Sequence, residues 1–213
     1  MFGTHDLPLF IVTAFVLYAT PGVDMLFTLG RTLQHGWRAG IAAALGVLGG
    51  CVVHTLAAAL GLAALLAASA LAFTAIKWLG AAYLMWLAWE MLRTAARDTE
   101  PALAAAPMAP LTRILAQGFL TNVLNPKVAL FFLALLPQFI SADAPNKPAA
   151  FLFLGFIFIG GGALFLFALV ALAHRMRTYG ASRAFMKTGR RVLNAVGGAF
   201  FAALAVRLVQ AER

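Results

Sequence analysis

The chain has 213 residues, 63% of them hydrophobic and 11% charged, with mean hydropathy +0.91 and a formal net charge of +9. Soluble domains are nearer half apolar and a quarter charged, so a single water-facing core is excluded and lipid must solvate much of the surface. The single cysteine, Cys51, excludes an internal disulfide or dithiol relay, and no basic run with interleaved aromatics argues for nucleic acid.

The first apolar stretch, residues 7–29, follows no basic region and precedes no A-x-A-like site, which predicts a retained span and not a signal peptide. It is interrupted within “ATPGVDMLFTLGR”, residues 19–31. Proline removes a backbone hydrogen bond and clashes with the preceding turn, and glycine loosens the chain further. In hydrocarbon such a break survives only against protein or a wet cavity. Thr20 is the expected N-cap of a new half-helix, Pro21 its first residue, Gly22 part of the hinge, and Asp24 projects from its first turn.

Residues 40–66 and 70–92 are the second and third stretches. From Ala39 to Leu92 the only charges are Lys77 and Glu90. One helix over that length would reach roughly 80 Å, so the chain must fold back, with the turn expected around Ala67–Ser69. Gly46 and Gly50 form a small-xxx-small pair suited to close helix packing. His54 is expected as a neutral ring bonded to a neighbouring carbonyl, with a proton relay to Asp24 as the sharper reading. Glu90 lies three residues before Arg93, the spacing of a local ion pair.

“TAARDTEPALAAAPMAPLT”, residues 94–112, is the one long linker. It divides the chain into residues 1–93 and 113–213, each with three stretches. The fourth, residues 113–136, contains “NVLNPKVALFF”, residues 122–132, where Asn125 is the expected N-cap, Pro126 the first helical residue, and Lys127 follows. Of Asn122 and Gln117, Asn122 is the candidate for the site. Residues 149–173 form a Phe-rich fifth stretch interrupted by Gly160–Gly162, which would permit bending, and residues 190–209 a sixth.

The reading is an all-α integral membrane protein of six transmembrane helices in two inverted three-helix repeats, with helices 1 and 4 broken at Pro21 and Pro126. Loops after the first, third and fifth stretches hold eleven of the 16 Lys and Arg, which predicts those loops inside and both termini outside. The cluster Arg175–Arg191 also suits anionic headgroups. “KWLGAAYLMWLAWEMLR” and “RVLNAVGGAFFAALAVR” echo each other in the third and sixth stretches. Inverted repeats with interrupted helices are the pattern of a secondary transporter.

Both breaks fall roughly 15–20 Å from the inner end, near the midplane. A charge there costs on the order of 3 kcal/mol, so Asp24 and Lys127 should face the bundle interior. An amino acid carries the matching pair of charges: Asp24 suits its ammonium, while Lys127, Asn122 and a half-helix N-terminus suit its carboxylate. Asp24 alternatively exchanges protons. The plainer reading is that Asp24 and Lys127 neutralise each other and hold the halves together. No cofactor, metal cluster or nucleotide loop is expected from the residues.

The “TPG-x-D” at Thr20–Asp24, “FLTNVLNPK” at Phe119–Lys127 and “PQF” at Pro137–Phe139 resemble the LysE/RhtB family of amino-acid exporters. “HTLAAALGL” at His54–Leu62 and “KWLGAAYL” at Lys77–Leu84 extend the resemblance along nearly the whole chain; Val23 and Ala88 depart from the usual pattern. The resemblance implies efflux of amino acids or derivatives such as homoserine, threonine and homoserine lactone, driven by protons across a bacterial inner membrane. A homodimer is compatible with so small a transporter. Two rivals remain: a membrane-embedded enzyme using Asp24 and His54 as acid and base, and an interaction protein whose breaks serve assembly.

Overall fold

The computed structural model describes residues 2–68, 70–96, 109–179 and 183–210; Ser69, where the turn expected around Ala67–Ser69 ends, and linker residues 97–108 lie outside them. The described residues are almost entirely helical. In chain order the helices are α1 (Leu7–Ala19), α2 (Val23–His35), α3 (Trp37–Ala57), α4 (Ala63–Ala68) and α5 (Ala70–Ala96). They continue with α6 (Leu111–Val123), α7 (Pro126–Leu130), α8 (Lys147–Tyr179) and α9 (Arg183–Gln210). A π-helical turn, Ala58–Leu62, joins α3 to α4; another, Phe131–Leu135, continues α7 into a 3₁₀ turn at Leu136–Phe139.

Among the described residues two helical runs are long and apolar enough to cross a membrane alone, Trp37–Leu65 and Lys147–Arg177. Two bent pairs qualify when each is taken as one span: Leu7–Ala19 with Val23–His35, bent by 54°, and Leu111–Val123 with Pro126–Phe139, bent by 45°. Length and composition therefore give two to four candidate spans. The helices α5 and α9, of 27 and 28 residues, pack along one another.

Both breaks follow from their prolines. Pro21 disfavours a helical conformation at Thr20, which is extended at φ −68°, ψ 119°. Thr20 does not cap the second half-helix, contrary to the expectation from sequence. It closes the first: its N–H and hydroxyl both donate to the Val16 carbonyl, at 2.9 and 2.6 Å. Three residues are consumed by the break, and α2 starts at Val23 with Gly22 at its cap position. Asn125 does cap α7, its Oδ1 accepting from the Lys127 N–H at 3.0 Å, with Pro126 as the first helical residue.

Small residues set the packing. A side chain at Gly46 would collide with the Leu115 carbonyl, and one at Gly50 with the Asn122 side chain, so α3 lies directly against α6. Gly36, in the left-handed region at φ +87°, turns α2 into α3 within one residue. The glycines at 160–162 do not interrupt α8, which is one continuous helix. Glycine in a helix otherwise held by neighbours is tolerated, and Gly161 and Gly162 make the recess that receives the Tyr18 ring. Glu90 and Arg93 form no ion pair; both are exposed side chains. The largest core cluster joins Phe10, Phe131, Phe151, Leu154, Leu84 and Phe201, from both halves of the chain.

Candidate functional site

The two breaks meet. Asp24, in the first turn of α2, accepts hydrogen bonds at Oδ2 from the side-chain amides of Asn122 (2.8 Å) and Asn125 (2.9 Å). A carboxylate can only accept, so each Nδ2 must face it and the orientation of both amides is fixed. Asn125 is then satisfied at both ends, holding Asp24 with its nitrogen and the α7 backbone with its oxygen. Asn122 is fully buried, and its Oδ1 has no partner; nor does Oδ1 of Asp24. The Asn122 oxygen faces α3, where a side chain placed at Gly50 would meet it.

Lys127 and Asp24 make no ion pair with each other. The Lys127 ammonium crosses to the first break and donates to the carbonyls of Leu17 and Thr20, both at 2.8 Å. These are carbonyls that α1 loses partners for when Pro21 ends it, at the negative pole of that helix. The plainer of the two readings, direct neutralisation, gives way to a cap across the halves. An ammonium has three donors, so one N–H of Lys127 stays available.

His54 places Nε2 3.1 Å from the Asn122 carbonyl, which also accepts from the Asn125 N–H at 2.9 Å. Its ring stacks on Phe132 at 5.7 Å. His54 and Asp24 share no hydrogen bond, and Asn122 lies between them, backbone to one and side chain to the other. Tyr83 is a partner that sequence reasoning missed: its hydroxyl donates to the Lys127 carbonyl at 3.0 Å. The only signal was a hydroxyl within the apolar run Leu79–Trp89.

Asp24, Asn122, Asn125 and Lys127 line a cavity of about 60 Å³, whereas His54 and Tyr83 stand outside its lining. Thr20, Gly22, Asp24, Asn122, Asn125 and Lys127 stand at one end, and α2 also points its N-terminus there. No side chain caps that terminus, and its first N–H groups have no helix carbonyl to reach. A short latch lies further along α2. The Phe27 ring rests 3.3 Å from where a Gly118 side chain would begin, Arg31 stacks over that ring at 5.3 Å, and Arg31 donates to Gln117 at 2.9 Å. Gln117 thus pairs with α2 away from the cavity.

Interrupted apolar helices whose breaks meet at buried polar side chains are the pattern of secondary transporters. Residues 15–212 match the family model described as LysE type translocator, and the chain belongs to that family. A membrane protein of Vibrio cholerae serotype O1 is 36% identical over 172 residues, covering 80% of this chain and 82% of its own. The homoserine/homoserine lactone efflux protein of Salmonella typhimurium is 31% identical over 170 residues, covering 80% and 81%. The leucine efflux protein of Enterobacter sp. is 34% identical over 153 residues, 72% of each chain. No solved structure matches the chain.

Proposed function

We propose that this chain is a secondary exporter of amino acids or close derivatives, with its site between the two breaks. The observation that carries the reading is Asp24, anchored through Oδ2 while its Oδ1 has no partner, in the lining of a cavity between the two breaks. A substrate ammonium offers the donor that Asp24 Oδ1 lacks. The spare N–H of Lys127 and the uncapped start of α2 suit the carboxylate of the same molecule. The homoserine and leucine efflux relatives support amino-acid-like cargo. An acid–base enzyme fits less well, because His54 is spent on a backbone carbonyl.

In this reading all six helical stretches span the membrane as two inverted repeats, residues 1–93 and 113–213, joined by linker 94–112. The packing supports it. The contact of α3 with α6 corresponds under exchange of halves to that of α8 with α1 and α2, while α3–α8 and α5–α9 map onto themselves. Proton exchange, with Asp24 as carrier, drives export. The protein resides in a bacterial inner membrane with both termini outside, and a homodimer is compatible with its size.

The cavity is only about 60 Å³, so substrate enters when the halves part. The test is efflux from cells and from proteoliposomes with an imposed proton gradient. Asp24→Asn is expected to insert normally and export nothing; wild-type efflux from it would overturn the site. Wild-type efflux unaffected by collapsing the proton gradient would overturn the coupling.

A further inference from the structure

The exporter reading leaves the side chain of the cargo open, and the apolar wall of the site speaks to it. The same cavity is also lined by Val47 and Leu48 of α3 and Phe158, Ile159, Phe165 and Leu166 of α8, all but Phe158 belonging to one apolar cluster. Among the described lining residues Asp24 is the only acid and Lys127 the only base, and both belong to the polar end. The hydroxyl beside them, Tyr18, has its proton committed to the Phe158 carbonyl at 2.5 Å. A charged side chain pressed against this wall would lose water and find no counter-ion.

Gly162 sits on the same wall. A methyl added there would meet Tyr18 at 3.6 Å and Leu48 at 3.8 Å, ordinary contact distances. The helix packing accepts that methyl, so its only consequence is lost space. Leu48 bounds the opposite side of the gap.

Resting on the exporter reading, we propose that the α3–α8 wall is a side-chain subsite for neutral apolar groups, sized by Gly162 and Leu48. The substrate class is then neutral aliphatic α-amino acids. An apolar wall rejects charge strongly, but it discriminates poorly against an added hydroxyl, so polar neutral analogues compete weakly and are not excluded.

The experiment uses the purified full chain in proteoliposomes loaded with labelled alanine, leucine, phenylalanine, lysine or glutamate. Leucine is expected to move at least about tenfold faster than lysine or glutamate. Gly162→Ala should lower leucine against alanine by roughly tenfold, and Leu48→Ala should raise phenylalanine against leucine by a similar factor. Gly162→Ala disturbs no packing, so it keeps the test open should Leu48→Ala assemble poorly. Lysine or glutamate moving as well as leucine, or unchanged ratios in Gly162→Ala, would overturn the subsite. With Asp24→Asn still inactive, that result would spare the exporter reading. Failure of every labelled compound to move through the wild-type chain would overturn both.

Discussion

At the scale of single residues, Asp24 and Lys127 carry opposite charges but answer to different needs, and their substitutions should differ accordingly. Asparagine at 24 keeps an acceptor for the amides of Asn122 and Asn125. It also removes a buried charge. The melting temperature of detergent-purified Asp24→Asn should therefore equal or exceed wild type while export is lost. Lys127→Met instead strips the Leu17 and Thr20 carbonyls of their donor, at about 1–3 kcal/mol for each acceptor left bare. Its melting temperature should fall by roughly 5 °C or more. Equal melting of the two variants would contradict the cap across the break. Asp24 and Asn125 were legible because a carboxylate beside a helix start and an Asn-Pro pair are local signals. The roles of Thr20 and Lys127 were not. Thr20 can close the helix before a proline as readily as open the one after it, and the partners of Lys127 lie more than a hundred residues away.

Helices approach one another here through missing side chains, and the glycines differ sharply in what they permit. Gly46 faces the backbone of α6 at Leu115 and Phe119, whereas nothing lies within 4 Å of a side chain placed at Gly160. Gly46→Ala should force α3 from α6, lower the amount of folded protein in the membrane, and depress melting. Gly160→Ala should be neutral or stabilising by up to about 1 kcal/mol, since alanine is the better helix former. Comparing thermal melts of the two variants checks the claim, and similar losses from both would refute it. The broken helices could be read from proline and glycine set in long apolar runs. The continuity of α8 through its three glycines could not, because the Tyr18 ring that fills the recess comes from another helix. Neither could the π turns at Ala58–Leu62 and Phe131–Leu135, which contain no local signal and pack near each other beside the site.

Across the whole molecule, two ends are defined by contacts between segments distant in sequence. At one, the N-terminal tail meets the segment after the 3₁₀ turn: His5 N–H donates to Phe139 at 3.1 Å, Ser141 N–H donates to Gly3 at 2.8 Å, and Thr4 bridges Ile140. At the other, the turn at Gly36 approaches Arg177 near the end of α8. The charge count alone assigns the same grouping, placing the tail with residues 137–148 and Arg38 with Arg177. Two independent lines therefore make one prediction about sidedness. In a Cys51→Ala background, cysteines at Thr4 and Asp143 should react together with a membrane-impermeant thiol reagent added outside intact cells. Cysteines at Arg38 and Arg177 should react only after the membrane is opened. Labelling of Thr4→Cys and Asp143→Cys from opposite sides would break the bundle as described. Labelling of all four in the reverse sense would keep the bundle and invert its orientation, moving the basic loops outside against the retention of Lys and Arg on the inner face.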